Sequence, residues 1–276
     1  MKIAILGCGP SGLVAAHAAM GRPGPLQVHI YSQKIPSEIY GAQYLHQPIP
    51  GVTTSNPGHY EPEIIRYMMA GSPESYLKKV YGDAWDGTIS DDLRDQAHVA
   101  WDLRETYKEL WLRYSSLIRS YVFPKNDPVG LVRTMEPILQ RYDLIINTIP
   151  RPALCLGSHK FISTDIWALG EVPGRNFPIE CKNNIIEYNG DSSPAWYRAS
   201  RMFGYSTVEW PGHVAKPPLP GVARVRKPLR HNCNCWDGDI VHLGRMGRWQ
   251  NGTLLHHVFA DMHEQIILLA ERMEMV

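Results

Sequence analysis

At the start of the chain an apolar run, Ile3-Ala4-Ile5-Leu6, breaks into Gly7-Cys8-Gly9-Pro10-Ser11-Gly12. The last glycine opens onto Leu13-Val14-Ala15-Ala16-His17-Ala18-Ala19-Met20, a stretch of good helix formers. Gly21-Arg22-Pro23-Gly24-Pro25 ends that helix, and Leu26-Gln27-Val28-His29-Ile30-Tyr31 alternates as a second strand. Strand, glycine turn, helix and strand form a βαβ unit. In a GxGxxG turn so placed, Gly7 permits the tight turn, Gly9 lets a pyrophosphate approach, and Gly12 lets helix and strand pack closely. The backbone around Pro10 and Ser11 then presents N–H groups to the phosphate. An ordinary glycine turn does not account for the strand and helix on either side, so a bound dinucleotide is expected.

Which dinucleotide is left open by this motif. The second strand ends in Ser32-Gln33-Lys34, where a carboxylate that accepts from the ribose hydroxyls would be usual. Ser32 and Gln33 can hydrogen-bond a ribose, as FAD requires, while Lys34 beside Ser32 suits the 2′-phosphate of NADP.

Further along, residues 48–87 are rich in Pro, Gly and Tyr and read as irregular, with a short helix at Glu63–Ala70. The pattern over 92–121 predicts one long amphipathic helix, and 130–141 another. Tyr142-Asp143-Leu144-Ile145-Ile146-Asn147-Thr148-Ile149-Pro150 suits a strand buried on both faces of a parallel sheet. Aromatic and β-branched density over 161–210 predicts antiparallel strands, and residues 253–275 return to helix. With 276 residues, 44% hydrophobic and 20% charged, the chain has material for one or two domains, and disordered or collagen-like classes are excluded. A net charge of +1 supplies no overall field for nucleic acid or an anionic membrane. No apolar run approaches the roughly 18 residues of a membrane span. The five cysteines are odd in number and scattered, which fits a reducing cytoplasm better than a disulfide framework.

Near the other end, Val241-His242-Leu243-Gly244-Arg245-Met246-Gly247-Arg248-Trp249-Gln250-Asn251-Gly252-Thr253-Leu254-Leu255 passes from strand through a glycine-rich turn to the terminal helix. This segment resembles the carboxy-terminal FAD motif of the superfamily holding UDP-galactopyranose mutase, protoporphyrinogen oxidase and the amine oxidases. The strand ending in Thr148-Ile149-Pro150 is similar to that family's Thr-x-Pro strand, and Gly41-Ala42-Gln43-Tyr44-Leu45-His46 resembles the stretch running beside the flavin. In compactness the chain looks most like FAD-dependent oxidoreductases of bacteriophages, some of them associated with DNA-base modification. The resemblance implies FAD, with Gln43, Tyr44, Leu45, Gly244, Arg245, Trp249, Gly252, Thr253 and Leu254 as further contacts. It implies an α/β fold in which a discontinuous Rossmann-like domain (1–46, 130–155, 236–276) carries a helical excursion (47–129) and a smaller, partly antiparallel substrate region (156–235). The implied activity is hydride transfer from a C–H or C–N bond of a small or base-linked substrate, such as an amine, to flavin N5.

Alternation over Trp196-Tyr197-Arg198-Ala199-Ser200-Arg201 places Trp196, Arg198 and Ser200 on one side of a strand and Tyr197 on the other. Tyr197, Arg198 and His46 are the catalytic candidates. His231, Cys233, Cys235 and His242 invite a zinc reading, but CxC is tighter than the usual knuckle and no second pair accompanies it, so no metal is expected and the thiols read as inert or as a redox pair. His256, His257 and His263 read as helix surface or flavin surroundings. Between Pro211 and Trp236 lie Lys216, Arg224, Arg226, Lys227 and Arg230 with no acidic residue, read as a proline-rich basic loop. That loop is either solvated surface or a groove for an anionic, nucleotide-like substrate or nucleic acid. An NADP-binding reductase and a non-catalytic dinucleotide- or nucleic-acid-binding protein are the alternative functions.

Overall fold

The computed structural model describes all residues except 23, 33–38, 42–43, 54–60, 86, 88–96, 125–126, 171, 174–181 and 275–276. The βαβ unit forms as its sequence requires. Strand β1 (Lys2–Leu6) leads into helix α1 (Pro10–Met20), and β2 (Gln27–Ser32) returns parallel to β1, with Lys2 opposite Gln27 and Leu6 opposite Tyr31. Two strands, the short edge strand β3 (Tyr44–Leu45) and the longer β4 (Glu63–Ala70), follow, then helix α2 (Pro73–Tyr81), β5 (Ala97–Asp102), α3 (Leu103–Tyr114) and β6 (Ile118–Ser120). Helix α4 (Pro128–Arg141), N-capped by Asp127, precedes β7 (Leu144–Asn147).

The first sheet has the order β14-β7-β1-β2-β6, with β14 at Val241–His242, and every pair in it is parallel. Side chains alternate across β1. Ile3 and Ile5 join a core with α1, α3 and the terminal helix α6 (Leu255–Glu274), while Ala4 and Leu6 join another with Leu131, Met135 and Ile138 of α4. The alanines of α1 let three helices close on one another over the sheet.

The second sheet runs β13 (Val222–His231), β8 (Phe161–Leu169), β12 (Tyr205–Pro211), β11 (Arg198–Met202), β10 (Ile185–Asn189), β4, β5, β3, with β9 (Val172–Pro173) on β12. It is antiparallel except where β10 meets β4. Helix α2 covers it through Tyr76, Leu77 and Val80 over Ile65, Ile166 and Ile186. Among the described residues no helix is long and apolar enough to cross a membrane.

Four sequence expectations are corrected. Glu63–Ala70 is a strand, not a helix: Ile65 and Tyr67 are buried while Ile64, Arg66 and Met68 are exposed, a period of two. The helix expected over 92–121 begins only at Leu103, because the Asp102 carboxylate caps it by accepting from Arg104 N at 2.7 Å, and strands flank it on both sides. The segment 47–129 is thus not a helical excursion, for it supplies two strands to the second sheet and β6 to the first. Four of the five cations of the proline-rich basic loop, Arg224, Arg226, Lys227 and Arg230, also lie on a strand, since β13 pairs with β8 from Val222 to His231, with a register shift between Pro228 and Arg230.

Candidate functional site

The three glycines of the N-terminal turn differ in what surrounds them. Gly7 has φ +106°, and a Cβ there would sit 2.7 Å from Thr148 Oγ1; a Cβ at Gly12 would overlap the Gly7 carbonyl oxygen. Around a Cβ at Gly9 there is nothing within 4 Å. The fold therefore requires the first and third glycines, whereas the second keeps open space in front of the α1 N-terminus. That terminus has no side-chain cap and no acidic residue in its first turn, so its positive end of the helix dipole is not neutralised.

The far glycine segment arrives at the same place. Gly244 has φ +70° and opens the short helix α5 (Gly244–Arg248); a Cβ on it would overlap Ser11 Oγ. A Cβ on Gly247 would overlap the Asn147 carbonyl oxygen, and Leu243 N donates to that oxygen at 2.9 Å. Thr148 Oγ1 donates to Leu6 O at 2.8 Å, fastening the end of β7 to the end of β1. Residues from the beginning, middle and end of the chain thus meet at the carboxyl ends of parallel strands, where open α/β sheets bind ligands. One strand over, Ser32 is buried and its hydroxyl accepts from the Cys8 thiol at 3.1 Å. Gln33, Lys34 and Gln43 lie outside the described residues. Trp249 is buried in a left-handed backbone turn and donates its indole N–H to Ile162 O at 3.1 Å, which ties this segment to the second sheet. Gly252, Thr253 and Leu254 lead into α6, with Leu254 N donating to His257 Nδ1 at 3.2 Å.

Tyr197 and Arg198 are brought together on one carboxylate. The buried Tyr197 hydroxyl donates to Glu209 Oε2 at 2.5 Å, Arg198 donates to Glu209 Oε1, and Lys227 Nζ donates to both Glu209 Oε2 (3.0 Å) and Tyr197 Oη (2.9 Å). This corrects the expected alternation: regular pleating begins only at Arg198, so Tyr197 just before it reaches the same partner. Gly41 abuts Glu209, where a Cβ would overlap Oε1, and Arg245 lies within electrostatic reach of Tyr81, Arg198, Glu209 and Tyr197. Three cations therefore surround one carboxylate. Burial alone would raise the Glu209 carboxyl, but Arg198 and Lys227 outweigh it and hold it at about 2. Burial, with Arg198 and Arg245 adding to it, pushes the Lys227 ammonium down to about 8 against the pull of Glu209. Arg198 Nε and Ser200 Oγ are buried without a hydrogen-bond partner among the described residues.

His46 is joined to this cluster by stacked and hydrogen-bonded rings. It packs on Tyr44 (4.6 Å between centroids), whose hydroxyl bonds that of Tyr67. From there Tyr67–Tyr188, Tyr188–Tyr76 and Tyr76–Tyr197 follow at 5.7, 5.1 and 5.8 Å. Leu45 is core.

A cavity of about 410 Å³ lies between the sheets, with Pro150, Pro152, Met246 and Trp249 on one side and Asp165, Arg224 and Arg226 on the other. Arg226 Nε lies 2.9 Å and Arg224 3.1 Å from the Asp165 carboxylate, and Arg226 first, then Arg224, holds that carboxyl below its usual range. The acids that answer the basic stretch sit on neighbouring strands, Asp165 on β8 and Glu209 on β12, which is why the stretch looks unbalanced in sequence.

The histidines weighed with Cys233 and Cys235 point elsewhere. His231 Nδ1 accepts from Cys233 N, and His242 Nδ1 accepts from Asn147 Nδ2 at 3.0 Å, its pKa lowered to about 4 chiefly by burial. The expectation of no second pair is corrected by the fold, because Cys155 and His159, which follow β7, come up against Cys233 and Cys235. On α6, His263 accepts from Arg22 Nε at 3.1 Å and is accounted for as packing against α1's exit. Sequence reasoning missed Glu209, Asp165 and the Cys155/His159 pair. A lone glutamate inside Tyr205-Ser206-Thr207-Val208-Glu209-Trp210 and the Cys-x3-His spacing were the available signals.

No protein-family model matches the chain, and no curated protein matches it. Solved structures do. BrvH, a flavin-dependent halogenase from Brevundimonas sp. BAL3, superposes with a TM-score of 0.55 at 13% identity over 97% of this chain and 71% of its own. MibH, a tryptophan 5-halogenase, gives 0.57 at 16% identity over 98% of this chain and 66% of its own, so the present chain spans just under two thirds of that enzyme's length. The tetrameric form of 2-methyl-3-hydroxypyridine-5-carboxylic acid oxygenase gives 0.51 at 13% identity over 96% of this chain and 86% of its own. At these identities the likeness is one of fold, and the chain has the Rossmann-like α/β architecture that these enzymes share.

Proposed function

We propose that this chain binds FAD non-covalently and is a flavin-dependent oxidoreductase acting on an anionic substrate. The observation that carries the reading is the meeting of the two glycine segments, Gly7–Gly12 and Gly244–Gly247, with Thr148 at the carboxyl ends of β1, β7 and β14, where Gly9 alone keeps its surroundings open. A cofactor long enough to touch both segments fits there, and the likeness to a flavin-dependent halogenase supports FAD over a shorter nucleotide. When bound, FAD supplies a two-electron acceptor at N5. The α1 N-terminus would hold the pyrophosphate, Ser32 the ribose, and α5 the far end. Pro150, Pro152, Met246 and Trp249 exclude water from one wall of the cleft, while Arg224 and Arg226, two cations to one Asp165, orient a negatively charged substrate. Behind them the cluster of Arg198, Lys227 and Arg245 about Glu209 favours an anion beside it, and Lys227 Nζ is the group there whose proton becomes mobile near pH 8.

The reaction in this reading is removal of hydride from a C–H bond of the substrate, which for an amine is the C–H beside nitrogen, leaving C=N; a base-linked amine is one candidate. The apolar lining of the cleft favours a second reading, oxygen-dependent attack on an aromatic anion, in keeping with the neighbours named as halogenases and an oxygenase. Anaerobic mixing separates them: a hydride donor bleaches the bound flavin unaided, whereas an oxygenation substrate leaves it yellow until a reductant is added.

The cofactor itself is tested by the visible spectrum and by thermal stability with added FAD, where ligand at about 100 times its dissociation constant contributes about 2.7 kcal/mol. Gly9→Val fills the open space and is expected to abolish both signals while the protein stays folded. A colourless wild-type protein that gains no stability from FAD sinks the proposal.

A further inference from the structure

We propose that Cys155, His159, Cys233 and Cys235 bind one tetrahedral zinc ion that staples the segment leaving β7 to the segment leaving β13. The four residues form two pairs on separate pieces of chain. Cys155 and His159 follow the 3-10 turn Arg151–Leu154 at the exit of the first sheet, and Cys233 and Cys235 follow the last strand of the second. Although His159 and Cys235 are 76 positions apart, their donor atoms and those of the other two residues all lie within 4.8 Å of one another.

The two spacings from His159 are those of a coordination shell, and all others are within 4.8 Å. With Zn–S about 2.3 Å and Zn–N about 2.0–2.1 Å, a tetrahedron has S···N edges of about 3.5 Å and S···S edges of about 3.8 Å. His159 Nδ1 is 3.3 Å from Cys155 Sγ and 3.6 Å from Cys235 Sγ. All three cysteines are free thiols, so a metal needs no bond broken. Three thiolates and an imidazole select zinc over the hard cations, and four protein ligands leave no open position for water, which marks the site as structural.

The surroundings already hold the ligands in place. Leu156 N donates to Cys235 Sγ at 3.3 Å, the kind of outer contact that supports a metal-bound thiolate. Lys160 and Asn232 exchange two hydrogen bonds, from Lys160 N to Asn232 Oδ1 (2.7 Å) and from Asn232 N to Lys160 O (3.2 Å). Trp236 Nε1 donates to Leu154 O at 2.7 Å, and the buried Arg151 guanidinium donates to Cys233 O at 2.9 Å. These ties bring the two segments together from both sides of the quartet. Three thiolates and Zn²⁺ carry a net −1, and Arg151 places a cation next to it, only partly taken up by Asp237. Because Pro150 and Pro152 of the cleft wall immediately precede the first pair, the staple would also set the position of that wall.

The test is metal analysis of the full-length protein purified anaerobically from zinc-supplemented medium, read together with cobalt substitution. One zinc per chain is expected, with cobalt giving intense ligand-field bands in the red, beyond flavin absorption. Titration of three thiols by a mercurial should release the zinc stoichiometrically. Cys235→Ser and His159→Ala should lose the zinc; if either fails to fold, the wild-type cobalt spectrum and the thiol titration still decide. Gly9→Val should keep its zinc whatever happens to flavin, so the metal site and the FAD site stand or fall separately. Wild-type protein that takes up neither zinc nor cobalt, a weak octahedral cobalt spectrum, or a disulfide among these cysteines in anaerobically purified protein would overturn the proposal.

Discussion

Replacing Glu209 by Gln keeps the shape of the side chain and removes its charge, which leaves Arg198, Lys227 and Arg245 facing one another without an anion. Two routes give the cost. Removing one partner of a buried ion pair usually destabilises by about 3–5 kcal/mol, because the charge left behind is buried and uncompensated. Independently, the Glu209 side chain is 2% exposed and its pKa falls from 4.5 to about 2 on folding. At about 1.4 kcal/mol per pH unit, that is roughly 3 kcal/mol of stability, fully present above pH 4.5 and lost as the pH falls through about 2. Urea unfolding at pH 7 should therefore show the midpoint of Glu209→Gln lowered with an unchanged slope, and the melting temperature down by roughly 10 °C for a chain of this size. Adding Lys227→Met to Glu209→Gln should recover at least about 1 kcal/mol, since one of the stranded cations is gone. A loss below about 1 kcal/mol in the single variant, or a double variant as unstable as the sum of its parts, would refute the idea that one carboxylate holds three cations.

The same cluster fixes an alkaline signature. The folded state releases the Lys227 proton near pH 8 and the unfolded chain only near 10.5, so the unfolded chain binds more protons between those values and stability should rise with pH from 8 to 9.5. In Lys227→Met, chemical denaturation over that range should be flatter. Gly12→Ala should fail to fold or lose several kcal/mol in urea, because its Cβ meets a backbone carbonyl, whereas Gly9→Ala should match wild type in stability without FAD; equal losses in both would remove the distinction drawn between them. Asp127→Ala removes the acceptor for Gly130 N at 2.9 Å at the start of α4 and should cost about 1 kcal/mol without touching flavin content.

Much of the first sheet was legible because its signals are local. The β1 run, the glycines and the alanine-rich α1 are adjacent in sequence, and the apolar run of β7 can be buried on both faces only between other strands. Glu63–Ala70 misled because Ile64, Ile65, Met68 and Met69 have helical spacing; the strand is settled by pairing with Ile185–Asn189, far along the chain. Likewise the apolar spacing over 92–121 runs across Asp102, whose capping role outweighs the continuity of the pattern. At the site, the glycine motifs were readable and the charge cluster was not. Arg198 and Lys227 appear in sequence as separate cations, and only the register of β11, β12 and β13 on β8 brings both to Glu209. Cys155 and Cys233 appear scattered for the same reason.

Around β1 the first sheet gains its strands in the order β2, β6, β7 and β14, and the helix that closes over α1, α6, follows all of them. As the polypeptide leaves the ribosome, the glycine turn at residues 7–12 must therefore wait for Gly244 and α6 before its surroundings are complete. Until then a newly made βαβ unit exposes the apolar flank of α1, the kind of surface on which nascent chains are held by chaperones. Flavin uptake in this arrangement would report on synthesis through Gly244 and α6, and a protease cut before residue 244 would release a protein unable to retain the cofactor.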